Sequence, residues 1–240
     1  EFVLVFYHDE LSIVQATGQE LKPKPFVNGQ LKFGQNFSDH MMEVDWSDAK
    51  GWGKPLISPL HPLQLHPGAK ALHYAIEALH YAIELFEGMK AYRGQDNHIR
   101  LFRPEKNIAR MRRTAARLML PDFDGNELLK IIDELVRTDQ DWVPSSDEAS
   151  LYIRPTMIGT DPTLIEGWST GSKLFIVTGP TGNIGEAGPK PIALLADPNL
   201  ARTSPGGVGQ YKMGCEKSAV NWIGKSRKKR CCNGLQWWNS

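Results

Sequence analysis

No apolar run in this 240-residue chain approaches the ~18 uncharged positions that a membrane-spanning helix needs, because Asp, Glu, Lys, Arg or Pro interrupts every candidate. Charge of one sign is also lacking. The 28 Lys and Arg residues face 27 Asp and Glu, a formal net charge of +1, so no overall field favours nucleic acid or an anionic membrane. Cysteine is scarce: Cys215, Cys231 and Cys232 all lie near the C-terminal end, and adjacent cysteines pair only under strain, so no disulfide staples the body and a reducing compartment is the default. The opening EFVLVFYHDELSIV has no basic lead and reaches His8, Asp9 and Glu10 after a short apolar stretch, which makes it a poor signal peptide. His61, His66, His73 and His80 have no cysteine or carboxylate cluster at zinc spacing, so no metal is expected. Gly179, Gly182, Gly185 and Gly188 miss the G-x-G-x-x-G spacing, and Pro189 and Pro191 block the helix a dinucleotide loop requires. The KSRKKR run at 225–230 is read as a solvated charge block.

With 41% hydrophobic and 23% charged residues, what remains is an ordinary globular chain of one large or two modest domains. ALHYAIE at 71–77 recurs at once at 78–84. Two copies are too few for a solenoid and point to a local duplication that lengthens a helix by about 10 Å with only about 20° of added rotation. MKAYRG and HIRLFR flank a Gly-Gln-Asp-Asn cluster and predict a hairpin. Pro104 opens a helix with Ile108, Met111, Ala115 and Leu118 at helical spacing, Arg110, Arg113 and Arg117 lying on another side. Asp124 with Glu127 reads as a capping box for a second helix ending near Asp139. LYIRPTMI predicts a strand with Leu151, Ile153 and Met157 facing one way and Tyr152, Arg154 and Thr156 the other. KLFIVTG and PIALLA predict two further strands, with the Gly- and Pro-rich GPTGNIGEAGPKP between them as a linker. The mixture favours an α+β fold. The segment from Met213 onward shows no sustained period of either kind.

The segment that points to chemistry is SPGGVGQYKMG, 204–214. Its glycines let the backbone approach a ligand closely, and Lys212 follows. A lysine desolvated there has the lowered pKa that an amine needs to attack an aldehyde.

LFEGMKAYRG, IRLFRPEKN, SLYIRPTMIGTDPTL, ALLADP and PGGVGQYKMG, in this order, resemble the branched-chain amino-acid aminotransferases, fold-type IV enzymes that use pyridoxal 5′-phosphate. The resemblance runs from about Lys22 to Gly214. It implies residues 1–21 as a poorly matched N-terminal segment, 22–182 as a small α+β domain, 183–198 as an interdomain linker, and 199–240 as the truncated start of a cofactor-binding large domain with an aberrant tail.

By the same resemblance, Lys212 matches the lysine that joins the cofactor aldehyde and then shuttles a proton between Cα and C4′. Arg110 matches the arginine that holds the cofactor phosphate, a role suited to a fixed guanidinium fork, and Arg202 resembles another arginine near it. Tyr81 and Phe86 match aromatic walls of the side-chain pocket, with Tyr152 and Arg154 at its mouth. Tyr74 duplicates Tyr81, and which of the two reaches the pocket stays open. Leu164 matches a loop position that enters the active site of a second subunit, which implies a homodimer. The implied reaction moves the amino group of Leu, Ile or Val to 2-oxoglutarate, giving a branched 2-oxo acid and glutamate, in either cytosol or mitochondrion.

After Gly214 the resemblance stops. Cys215-Glu216-Lys217 stands where the family has an Asn-Tyr pair, and the linker holds Asn183 and Ile184 near the family's tyrosine. The glutamate for the pyridinium nitrogen belongs to the part of the family pattern that does not follow here. The alternative expectation is a catalytically incomplete fragment that acts only as a dimerising or regulatory domain.

Overall fold

Period-2 alternation builds the sheet of this protein, and a 3.6-residue apolar period builds the two long helices that cover it. The computed structural model describes residues 5–25, 31, 33–73, 84–145, 149–163, 168–182 and 207–214. In chain order the described elements are β1 (Ser12–Ile13), β2 (His40–Ser47), β3 (Gly51–Trp52), β4 (Leu56–Pro59), α1 (Lys70–His73), β5 (Glu84–Phe86), β6 (Met89–Arg93), β7 (Ile99–Leu101), α2 (Pro104–Leu118), α3 (Gly125–Thr138), β8 (Ser150–Gly159) and β9 (Gly171–Thr181).

The strands form one sheet in the order β1-β4-β2-β9-β8-β6-β7, with β3 on β2 and β5 on β8. Its described pairings are antiparallel except β1 with β4. The spine is β8 against β9, in register from Ser150↔Thr181 to Gly159↔Ser172. Leu151, Ile153 and Met157 of β8 join Leu174 and Ile176 of β9 and Met42 and Val44 of β2 in the main core. That core is closed by Ile108, Met111 and Ala115 of α2 and by Leu128, Ile131, Ile132 and Leu135 of α3. Each large side chain so buried contributes roughly 1.5–3 kcal/mol relative to exposure. The opposite face carries a smaller cluster, Met41, Ile158 and Phe175, covered by Ala71 of α1. The mixed architecture is α+β, as the element pattern predicted.

Both long helices match their sequence signals. Pro104 opens α2, and Met119 ends it in the left-handed region at φ 56° with its N–H turned back to Ala115 and Ala116 carbonyls. Asp124 caps α3, its side chain accepting from Asn126 N at 2.7 Å and Glu127 N at 3.1 Å. The reciprocal half of the expected capping box is replaced: Glu127 accepts from His8 N at 2.7 Å and from Lys130 Nζ at 2.6 Å, so this carboxylate ties the N-terminal segment to α3.

One expectation needs correction. Gly179-Pro180-Thr181, read as the start of a linker, is the end of β9. Pro180 is tolerated there because β2 pairs with β9 only up to Val177, so the missing N–H falls on a side with no ladder to complete. Gly179 is required for another reason: a Cβ there would lie 2.1 Å from the Asn36 carbonyl oxygen.

A buried polar latch holds the segment before β2. His40 N and Nδ1 meet Asp139 at 3.0 and 2.7 Å, and His40 Nε2 accepts from Ala16 N at 2.8 Å, which puts the imidazole proton on Nδ1. Of the segment that carries the repeat, Lys70–His73 form α1; Tyr74 and Tyr81 lie outside the described residues, as does the PIALLA segment. No described helix is long and apolar enough to cross a membrane.

Candidate functional site

The site forms where β5 and β6 lie end to end along one edge of β8. Phe86 stands opposite Thr156 and Met89 opposite Ile153, and Glu87 N donates to the Pro155 carbonyl at 2.8 Å, so the ladder continues through the junction. Alternation sends Leu85, Glu87 and Met89 toward the helices and Glu84 and Phe86 to the opposite face, beside Tyr152, Arg154 and Thr156.

Lys212 reaches this place through its backbone. The Phe86 N–H donates to the Lys212 carbonyl at 3.3 Å, Leu85 bridges Met213, and the Lys212 N–H donates to Thr114 Oγ1 at 3.2 Å. The segment after the glycines thus runs along the free edge of β5 and is pinned to α2. Its amine lies 5.2 Å from the Phe86 ring centroid, a cation–π contact.

Arg110 and Thr114, four residues apart, share the face of α2 turned to this edge. Arg110 grips the fully buried Glu87 with both arms, Nε to Oε1 at 2.6 Å and Nη2 to Oε2 at 2.8 Å. Asn107 Nδ2 adds bonds to Glu87 Oε2 and the Gly88 carbonyl, each at 3.0 Å. The Arg110 guanidinium is held above its ordinary range, first by the hydrogen bonds to Glu87 and then by the attraction of Glu87 and Tyr152, which outweigh burial. Arg113 and Arg117 of the same helix are exposed.

On the opposite face, Arg154 donates Nε–H to Tyr152 Oη at 3.1 Å and lies 4.7 Å from the Phe86 ring and 5.2 Å from the Tyr152 ring. Gly88 makes room for Tyr152: a Cβ on residue 88 would fall 2.3 Å from Tyr152 Oη. Phe33 packs edge-on against Tyr152 at 4.8 Å. Beyond these rings opens a cavity of about 200 Å3 lined by Phe33, Phe37, Tyr152, Arg154 and Val177.

A larger cavity of about 520 Å3 lies near the other end of the same face, around Glu43, Asp45, His61 and Lys173. Its charges are spent on each other, Lys173 Nζ sitting 2.9 Å from Glu43 and 3.0 Å from Asp45. No described group of His, Cys, Asp and Glu is arranged to hold a metal.

The fold therefore brings Phe86, Arg110, Tyr152, Arg154 and Lys212 around one stretch of strand edge. Tyr81, Leu164 and Arg202 lie outside the described residues. Sequence reasoning missed Glu87, Gly88, Asn107, Thr114 and Phe33. The strand pattern places residue 87 with the core-facing Leu85 and Met89, where an acid is anomalous, and that anomaly was the one signal available for Glu87. The donor set suits an aldehyde bearing a phosphate. Lys212 offers the amine, and Arg110 has three N–H groups left beyond the two on Glu87 for a phosphate oxygen.

The family model for amino-transferase class IV matches residues 84–211. The cytosolic branched-chain-amino-acid aminotransferase of Caenorhabditis elegans is 52% identical over 232 residues, 97% of this chain and 54% of that protein. The mitochondrial one of Bos taurus is 46% identical over 221 residues, 91% of this chain and 54% of that protein. Both spans mean that this chain covers about half the length of these relatives. Among solved structures, the branched-chain aminotransferase of Thermoproteus uzoniensis with norvaline superposes with a TM-score of 0.54 at 20% identity, covering 78% of this chain and 56% of that one. The Escherichia coli branched-chain amino acid aminotransferase gives 0.52 at 18%, with 78% and 55% covered. These two likenesses bear on the fold.

Proposed function

The chain belongs to the class IV aminotransferases, and on that premise we propose that it carries the lysine-bearing half of a branched-chain amino-acid transaminase site that takes pyridoxal 5′-phosphate. The observation that carries this reading is the placement of Lys212, whose peptide is stitched to both β5 and α2 while its amine lies against Phe86. A lysine on a mobile loop would not be fixed at both neighbours.

Lys212 Nζ is the group that would hold the cofactor aldehyde, and as a free amine it would take up the proton at the substrate Cα. Arg110 is the group to hold the phosphate through its remaining N–H donors, with Glu87 fixing its orientation; Arg202 is assigned beside it by family resemblance. When bound, the cofactor supplies the electron sink for charge developing at Cα. Phe33, Phe86 and Tyr152 exclude water from the side-chain end, and Tyr81 joins them by resemblance. Burial of aliphatic carbons there contributes about 0.8 kcal/mol per methylene, enough to favour Leu, Ile and Val but to separate them only weakly. Arg154 at the cavity mouth suits the carboxylate of glutamate or 2-oxoglutarate.

Residues 22–182 form the small domain in this reading, an end supported by the last described strand ending at Thr181, while β1 joins its sheet from the segment before residue 22; the family resemblance assigns 183–198 to the linker and 199–240 to the start of the cofactor-binding domain. The family resemblance assigns Leu164 to a contact with a second subunit, which makes the proposed working unit a homodimer. The relatives include cytosolic and mitochondrial proteins, and either compartment suits this chain.

The test is borohydride trapping with added pyridoxal phosphate, followed by peptide mapping. The label is expected on Lys212 and is expected to vanish in Lys212→Ala. Labelling elsewhere, or none, overturns the assignment. An assay of leucine with 2-oxoglutarate then tests turnover, and absence of glutamate formation despite a labelled Lys212 favours the dimerising or regulatory alternative.

A further inference from the structure

Next to the site, two buried polar side chains have no hydrogen-bond partner among the described residues. Glu84 is fully buried, and among the described residues neither of its carboxyl oxygens has a hydrogen-bond partner; Thr156 Oγ1, on the neighbouring strand, is likewise buried with none among them. Folded proteins leave few such groups, and each asks for a reason. The register sets them side by side. Glu84 is opposite Ile158 and Phe86 opposite Thr156, so Glu84, Phe86 and Thr156 occupy adjacent positions on one face. Arg154, one row further along β8, lays its guanidinium over Phe86 at 4.7 Å. Among the described residues no carboxylate pairs with Arg154; its contacts are the Tyr152 hydroxyl and the two rings.

These two facts are linked. An ionised Glu84 in this position would be an uncompensated buried charge, or it would draw in a cation, and Arg154 is the one whose attraction it feels. A neutral acid leaves the guanidinium where the structure has it. Resting on the reading of Arg154 as a substrate-site residue, we propose that Glu84 is a positioning residue that acts through Arg154. As the uncharged acid it leaves the guanidinium at the cavity mouth to receive a ligand carboxylate, and as the carboxylate it takes the guanidinium for itself. Burial pushes the Glu84 carboxyl up to about 9 against the attraction of Arg154, which agrees with the uncharged form near neutrality.

The charged and titratable groups around this pair are Arg154 and Tyr152 on β8, Lys90 opposite Tyr152 on β6, Lys212 over Phe86, and Arg110, engaged with Glu87, on α2. From β9 the face offers Phe175 and also Lys173, which lies opposite Ile158 and is held by Glu43 and Asp45 of β2; from β2 it offers Met41 as well, and from α1 Ala71; the Lys70 and His73 side chains lie outside those described. Lys90 is lowered by burial.

The test uses the full chain without added cofactor, with glutarate as the probe and calorimetric titration as the readout, on wild type and Glu84→Gln. Near pH 7 the two are expected to bind within about twofold of each other. Near pH 10 the wild type is expected to bind about fivefold or more weakly than the variant, which cannot ionise at residue 84. Lys90, Tyr152 and Lys212 are common to both proteins, so the ratio isolates Glu84. Equal weakening in both, or no saturable binding near neutral pH, overturns the proposal. Should Glu84→Gln not fold, the wild type alone decides: the Glu84 carboxyl 13C shift and the Arg154 Nε–H signal are expected to move together with a midpoint in the alkaline range. An ordinary carboxylate midpoint, or independent movement, overturns it. Neither readout needs turnover, so a chain that fails to transaminate refutes the functional reading and leaves this result standing.

Discussion

Arg110→Ala removes two of the four hydrogen bonds that hold the Glu87 carboxylate, leaving Asn107 Nδ2 at 3.0 Å and Gly88 N at 3.2 Å on an acid with no solvent exposure. Breaking a buried ion pair from one side costs about 3–5 kcal/mol, because the surviving charge is stranded. The Arg110 side chain retains 20% exposure and two donors remain, so the expected loss is at the lower end, about 3 kcal/mol, or a fall in Tm of about 6–12 °C at this chain length. Glu87→Gln removes the stranded charge. Applied on top of Arg110→Ala, it is therefore expected to restore stability, giving a coupling of at least about 1 kcal/mol in the double-mutant cycle. Urea and thermal denaturation of the four proteins measure it. A loss below about 1 kcal/mol for Arg110→Ala, or strictly additive losses, would refute the view that Glu87 fixes Arg110 before any ligand arrives.

Gly88→Ala places a methyl 2.3 Å from Tyr152 Oη and is expected to cost about 1–3 kcal/mol; Tyr152→Phe in the same background should recover part of it, and no recovery would count against the contact. Met119→Gly relieves a left-handed residue whose side chain is 62% exposed, and denaturation should show a gain of up to about 1 kcal/mol. Glu84 supplies a pH prediction with a definite sign. Its carboxyl titrates at about 9 in the folded chain against an ordinary 4.5, so between those values the native state holds a proton that the unfolded state has lost. Stability then falls as pH rises through that window, by at most about 1.4 kcal/mol per unit from this group. Glu84→Gln should remove that part of the slope, and parallel curves for the two proteins would exclude it.

Much of the architecture was written in local patterns. Periodicity in Ile108, Met111 and Ala115, the Asp124 cap, and the alternation in Leu151-Tyr152-Ile153-Arg154 each report a neighbour within a few residues, and physics at that range is carried by the chain itself. The lysine and its glycines at 207–212 were visible for the same reason. What the sequence could not contain was who meets whom across the sheet. Pro180 in β9 is allowed by an unpaired side created by where β2 begins. Glu127 caps His8 rather than its own helix. Arg110 is committed to Glu87, 23 positions away, and Glu84 has no hydrogen-bond partner among the described residues because it stands opposite Ile158 beside an apolar cluster. Composition and spacing determined the helices, the main strands and the candidate amine. Tertiary structure alone decided which charges are paired, which are stranded, and where that amine stands, because electrostatic pairing and desolvation depend on distances in space that sequence separation does not encode.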